Sequence, residues 1–216
     1  MADLVLHHLE QSRSQRILWL LEELGVDYEM KRYPRERGAR APQALREVHP
    51  LGKSPVITHG DRVIAESGAI VEYLLDEVGE GRLRPATGTE DHRRYRFFLH
   101  FAEASLMPAL LVKLITGRVR SSVPILGKII ASKVDASYTD PEIVNNFSFV
   151  DRELKGREWL AGELSGADMM MSYPATVALQ RAELPPLPEL TAYLARIEAR
   201  PAYQRALELG GPVLFG

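Results

Sequence analysis

The chain has 216 residues, with 27 lysines and arginines against 29 acidic residues, and contains no cysteine. Near-neutral charge argues against a general binder of nucleic acid or anionic membranes, whose affinity rests on concentrated positive charge. Without cysteine there is no disulfide, thiolate metal site or protein-borne thiol nucleophile, so any thiol chemistry needs a thiol carried in by a small molecule.

Leu4, Val5 and Leu6 form an apolar run long enough for a short buried strand, and His7 to Gln11 lead away from it. From Ser12 to Gly25 a polar turn feeds an amphipathic helix, with Ile17, Leu20, Leu21 and Leu24 on one face. Gly25 stands where a left-handed residue would end that helix, and Ser12 and Ser14 are candidate caps at its start. Val26, Tyr28 and Met30 alternate with polar residues, which predicts a half-buried strand. Residues 3–32 therefore read as β-α-β with parallel strands.

The polar stretch 33–52, with Pro34, Gly38, Pro42, Pro50 and Gly52, predicts a loop holding a short helix near Gln43–Val48. Two short strands flank Gly60-Asp61 as a hairpin, with Pro55 at the entrance of the first. Glu66-Ser67-Gly68 then opens a helix carrying Ile70, Val71, Leu74, Leu75 and Val78, ended near Gly79. Residues 1–80 are thus a small α/β unit with a mixed four-stranded sheet, and the Gly-, Pro- and Thr-containing stretch 81–89 is a linker.

Residues 90–216 show helical periodicity only. A long helix spans Asp91 to Thr116 with a kink expected at Pro108. A second runs from Ser121 to Ala136, and a third carries Ile143, Phe147, Val150 and Leu154 behind an Asp140-Pro141 start. Ser165-Gly166-Ala167-Asp168 is a capping-box pattern ahead of Met169–Leu179, and helices at 187–198 and 201–209 follow. No apolar run reaches the length of a membrane span, and the N-terminus lacks a basic segment followed by an apolar core, so a cytoplasmic protein is expected.

Five segments together resemble the cytosolic glutathione transferase family: Ser12–Leu24, Pro50-Leu51-Gly52-Lys53-Ser54-Pro55-Val56, Glu66-Ser67 with Ile70 and Tyr73-Leu74, Trp159-Leu160-Ala161-Gly162, and Ser165-x-x-Asp168. The form of the first segment resembles most the serine-type bacterial and fungal group related to the yeast enzymes. The resemblance implies a thioredoxin-like N-terminal domain (β-α-β-α-β-β-α) followed by an α-helical bundle domain, commonly as a homodimer. It implies glutathione as co-substrate, and as reaction either conjugation of small hydrophobic electrophiles or reduction of organic hydroperoxides. A glutathione-dependent disulfide-bond reductase and a non-catalytic adaptor on the same fold are the alternatives.

A free thiol has a pKa of about 8.5, and lowering it by about two units takes roughly 2.7 kcal/mol of preferential anion stabilisation. A hydroxyl aimed at the sulfur and the amino end of a helix can share that task. The resemblance places Ser12 in this role, with Ser14 as the alternative, and either could equally be a helix cap. It implies a cis Pro55 that exposes the backbone of Ser54 for strand-like pairing with the tripeptide. It implies Ser67 for the γ-glutamyl carboxylate, Glu66 for the ammonium, and Lys53 for a ligand carboxylate. Candidates for the electrophile pocket are Leu9, Gln11, Met107, Leu110, Leu111 and Phe215, all of which could be ordinary apolar packing. Ser165 and Asp168 are structural, as the cap of a buried helix. His7, His8, His49 and His59 are scattered with no metal-ligand spacing, so no metal is expected.

Overall fold

The computed structural model describes residues 3–36 and 41–213, so Gly38 and Phe215 lie outside the described residues. The first strand, β1 (Leu4–Leu9), runs through His7 and His8, further than its apolar start predicts. Its residues are buried on both faces of the sheet, and such a strand need not alternate. Helix α1 (Ser14–Leu24) ends at Gly25 in the left-handed region, φ 60°, as the spacing predicts. The amphipathic reading of α1 is corrected. Nine of its eleven residues are buried, including Ser14, Gln15 and Arg16, because helices of the second half cover its polar side.

Strand β2 (Glu29–Tyr33) begins three residues later than its alternation suggests and pairs parallel with β1. Helix α2 (Ala44–Val48) sits in the long loop. The hairpin strands β3 (Val56–His59) and β4 (Arg62–Ala65) follow, and the sheet order is β2-β1-β3-β4 with only the first pair parallel. Helix α3 (Ser67–Tyr73) continues as a π turn, Leu74–Val78, and stops at Gly79.

From Glu90 to Ser122 the helical run is unbroken through Pro108: α4 (Glu90–Phe101), a π turn (Ala102–Leu106) and α5 (Met107–Ser122). Pro108 has no N–H and its ring crowds the carbonyl one turn back, and the widened π turn just ahead absorbs both. By length and composition this stretch could cross a membrane, correcting the reading that no segment could, yet Phe98, Leu99, Ala102, Leu106, Ala109 and Leu110 on it are core residues. Two further boundaries move. Helix α6 (Leu126–Val134) starts after Pro124 rather than at Ser121. It then passes through a π turn (Asp135–Thr139) straight into α7 (Asp140–Leu154). Asp140 is therefore no cap. It pairs with Lys113 at 2.6 Å, and Lys113 also reaches the buried Asp135 at 3.1 Å.

Helices α8 (Gly166–Arg181), α9 (Pro188–Glu198) and α10 (Pro201–Gly210) complete the bundle. The capping box forms at α8, and Asp168 is fully buried. Its carboxylate accepts from Leu160 N (3.1 Å), Ser165 N (2.8 Å), Ser165 Oγ (3.0 Å) and the Tyr193 hydroxyl (2.9 Å), tying Trp159–Gly162, α8 and α9 together. Burial outweighs these four donors and pushes its pKa up from 3.8 to about 6. The folded state thus takes up this proton before the unfolded state as pH falls, and the group's contribution grows from pH 7 toward pH 4 and is lost as pH rises through 6. In urea unfolding, wild type should gain about 1 kcal/mol over Asp168→Asn between pH 7 and pH 5. A difference that stays constant or shrinks over that range would contradict the shift.

Candidate active site

Strand register brings the sequence-predicted site residues to one end of the sheet. His7 of β1 is opposite Val56 of β3, and Val56 is opposite Ala65 of β4. The chain leaving β1 toward Ser12, the chain entering β3 through Ser54-Pro55, and the chain leaving β4 at Glu66-Ser67 therefore meet at the same edge. This is the end of the parallel strands where open α/β sheets hold ligands.

Side chains stitch these segments together. Ser54 is buried, donates to His7 O at 3.0 Å and accepts from Leu9 N at 3.3 Å. Ser12 donates to the carbonyl of the same Leu9 at 2.8 Å. One residue of β1 is thus held by Ser54 on its N–H and Ser12 on its C=O. The Ser54–Pro55 peptide bond is cis, as the resemblance implies. Glu66, exposed, takes φ 73°, a region that non-glycine residues enter at a cost of about 1–3 kcal/mol and mainly at functional sites. Ser67 behind it is buried at the first position of α3, and Lys53 is exposed beside Ser54.

The two serines differ. Ser14 is fully enclosed, whereas Ser12 keeps 6% of its surface open. Ser12 Oγ accepts from Ser14 N at 3.2 Å, meeting one free N–H of the first turn, although the N-cap position itself is Arg13 and neither serine occupies it. The two hydroxyls touch at 2.8 Å, and Ser14 Oγ also lies 2.9 Å from His8 Nδ1 and 3.2 Å from Leu9 O.

Three basic residues that sequence reasoning passed over frame this turn. Arg35 donates to Glu10 O (2.9 Å) and Gln11 O (2.8 Å), where Gln11 has φ 50°. Arg13 pairs with Glu103 at 2.7 Å, and Arg16 contacts the other oxygen of Glu103 at 2.8 Å and donates to Met170 O at 3.1 Å. The Arg16–Glu103 contact is an ion pair rather than an aligned hydrogen bond, since that Glu103 oxygen and Arg16 Nε and Nη2 lack hydrogen-bond partners. Burial lowers the Arg16 pKa to about 10, so the guanidinium remains charged at neutral pH. His8 was also passed over, and the signal was its place on an apolar strand two residues after Leu6.

The electrophile-pocket candidates are dispersed. Leu9 and Leu110 are buried, Met107 is half-buried against the core, Gln11 is half-buried, and Leu111 is 53% exposed. Two surface hollows lie elsewhere. One of about 440 Å³ runs along Arg93, Phe97, Phe101 and Ser105, and one of about 280 Å³ lies between α8 and α10. Among the described residues no group of three or more histidines and carboxylates could hold a metal.

Comparison with known proteins settles the lineage. Residues 4–76 match the family model described as the glutathione S-transferase N-terminal domain, and residues 118–201 the C-terminal domain. Glutathione S-transferase 1 of Saccharomyces cerevisiae is 33% identical over 94% of this chain and 93% of its own. The chain belongs to the glutathione S-transferase family. A crystal structure of a glutathione S-transferase from Actinobacillus pleuropneumoniae superimposes on this transferase fold with a TM-score of 0.81 at 38% identity, covering 96% of this chain and 92% of that one. A theta-class glutathione S-transferase from Xanthomonas axonopodis, solved with glutathione bound, shares the fold with a TM-score of 0.79 at 24% identity over the whole of both chains. The thioredoxin-like domain with its mixed sheet and the helical domain are those of the family.

Proposed function

We propose that the protein is a glutathione transferase in which the Ser12 hydroxyl donates to the glutathione sulfur and stabilises its thiolate. The observation that carries this is the joint hold of Ser12 and Ser54 on Leu9 at the edge where Glu66-Ser67 also arrives. Ser14 is fully enclosed whereas Ser12 keeps a small part of its residue surface exposed, and a hydroxyl must reach the ligand to act on it. In this reading residues 1–80 bind glutathione, 81–89 link, and 90–216 form the helical unit. The Ser54 backbone pairs with the tripeptide, Ser67 and the amino end of α3 take its γ-glutamyl carboxylate, Glu66 its ammonium and Lys53 its other carboxylate.

The thiol proton leaves to solvent, and the thiolate attacks an electrophilic carbon, forming an S–C bond as the leaving group departs. With an organic hydroperoxide the same thiolate attacks the terminal oxygen, the O–O bond breaks and the alcohol leaves with a proton from solvent, and a second glutathione condenses with the resulting sulfenic acid to give glutathione disulfide and water. Ser12 contributes part of the roughly 2.7 kcal/mol that a two-unit shift of the thiol requires, since a hydrogen bond to a charged group is worth about 1.5–3 kcal/mol.

The protein should be retained on glutathione resin and released by free glutathione. Ser12→Ala should raise the pKa of bound glutathione, read from thiolate absorbance, by about one unit and lower turnover about tenfold with 1-chloro-2,4-dinitrobenzene. Unchanged values in a folded variant would remove Ser12 from this role, and loss of resin binding in the wild type would favour the adaptor reading.

We also propose a homodimer, built on the exposed aromatic face of α4, where Phe97 stacks on Phe101 at 5.3 Å beside Arg93 and Arg96. Sedimentation should give twice the chain mass for wild type and a single-chain mass for Phe97→Glu. A wild-type monomer would contradict it.

A further inference from the structure

Ser12 in its proposed role leaves two fully buried polar side chains, Ser14 and His8, without a task. They form a connected line. His8 Nε2 lies 3.0 Å from Gly210 O at the end of α10, His8 Nδ1 lies 2.9 Å from Ser14 Oγ, and Ser14 Oγ lies 2.8 Å from Ser12 Oγ.

Counting protons gives the line a direction. A carbonyl only accepts, so His8 Nε2 carries the ring proton and donates it to Gly210 O. Neutral imidazole then offers Nδ1 only as an acceptor. A buried acceptor left bare costs about 1–3 kcal/mol, and the other acceptor near Ser14 Oγ, Leu9 O at 3.2 Å, is already served by Ser12 at 2.8 Å, so the Ser14 proton goes to His8. Ser14 Oγ is left able only to accept, and the Ser12 proton is the one that remains to be assigned. Burial holds the His8 pKa below the usual histidine range, with Arg32 acting in the same sense and Gly210 O and Glu10 against it, which keeps the ring neutral at neutral pH.

We propose that His8 and Ser14 are positioning residues: they form a proton-ordered relay, anchored on the Gly210 carbonyl, that fixes the Ser12 hydroxyl and reserves its proton for the thiolate. The proposal rests on the reading of Ser12 as thiol partner. At rest that proton is shared between two neutral acceptors, Leu9 O and Ser14 Oγ, each at 2.8 Å. A thiolate is a charged acceptor, whose hydrogen bonds are roughly twice as strong as neutral ones, so it takes the proton from both. Ser12 Oγ meanwhile stays pinned by Ser14 N at 3.2 Å. Ser14 cannot compete for the ligand, because its own proton is committed to His8.

The anchor belongs to the helical domain. A Cβ on Gly210 would stand 2.4 Å from Gln15 Oε1 and 3.1 Å from His8 Cε1, so α10 approaches α1 and β1 as closely as a bare glycine allows. The last carbonyl of α10, which has no partner within its helix, is satisfied by His8. The thiol site is therefore complete only when the end of α10 is in place.

The test compares thiolate absorbance and steady-state kinetics of the glutathione complex across a set of variants, with thermal melts to confirm folding. Ser14→Ala should raise the thiol pKa by about half a unit and lower kcat about threefold at neutral pH, with KM for glutathione changed less than about twofold. His8→Phe, which keeps the bulk and loses the acceptor, should do the same. His8→Asn, whose Oδ1 stands near the place of Nδ1, should return the pKa toward wild type. Adding Ser14→Ala to Ser12→Ala should change nothing further. If Ser12→Ala raises the pKa while Ser14→Ala leaves it unchanged, the relay is wrong and the Ser12 reading survives. If Ser12→Ala has no effect and Ser14→Ala does, Ser14 is the direct partner and both fall. Should His8→Phe not fold, Ser14→Ala decides alone.

Discussion

Burial of α1 on every side is the constraint from which the rest of the structure follows. A helix in the middle of a protein can be apolar all round, but this one is not. Ser14, Gln15 and Arg16 form most of its first turn and are buried with it. Each needs a partner, because an unmet buried polar group costs about 1–3 kcal/mol and an unpaired buried charge more. The partners come from four separate elements. Ser14 reaches His8 of β1, Gln15 donates to Ala206 O of α10 at 2.8 Å, and Arg16 meets Met170 of α8 and Glu103 of the π turn after α4. Further along, Glu23 accepts from Trp19 at 2.9 Å and from Arg200 at 2.9 Å, and Trp19 stands edge-on to Tyr203 of α10. The helical domain is thus docked by the polar side of a helix of the other domain. Its interface with the thioredoxin-like domain is specific because few arrangements bring all of these partners to α1 together, even with Arg16 Nε and Nη2 left without hydrogen bonds.

The same constraint shapes the site. The turn that delivers Ser12 ends in α1, so whatever fixes α1 fixes Ser12. On the sheet side, the register of β1, β3 and β4 brings three loops to one edge, and the Leu9 peptide group is shared by Ser54 and Ser12. On the helical side, the arginines at 13 and 16 converge on Glu103, and the last carbonyl of α10 takes the His8 proton. A thiol held here would be met by a hydroxyl whose position depends on both domains.

Much of this was legible before any coordinates. The β-α-β start, the Gly60-Asp61 hairpin, the helix ending at Gly79 and the capping box at Ser165–Asp168 all have local signatures, though β2 starts later than its alternation suggests and the π turn before Gly79 has none. What escaped was set by tertiary contact. The polar residues of α1 looked like a solvent face because nothing local says that α8 and α10 will cover them. His7 and His8 read as a lead-in because a strand buried on both faces does not alternate. Asp140-Pro141 looked like a helix start, yet a π turn carries the chain through it. The burial that sets Ser12 apart from Ser14, and the histidine that strand geometry brings to Ser14, have no local signature either. Electrophile-pocket candidates such as Leu110 and Leu111 are neighbours in sequence but one is core and the other exposed, a distinction the helical period alone does not resolve.

A crystal structure of the complex with glutathione tests the central claim most directly. The account predicts the sulfur within hydrogen-bond distance of Ser12 Oγ, with the tripeptide backbone paired to Ser54 and Ser14 still bonded to His8. Glutathione seated away from the Leu9–Ser12 turn, or its sulfur bonded to Ser14 with the His8 contact broken, would contradict it.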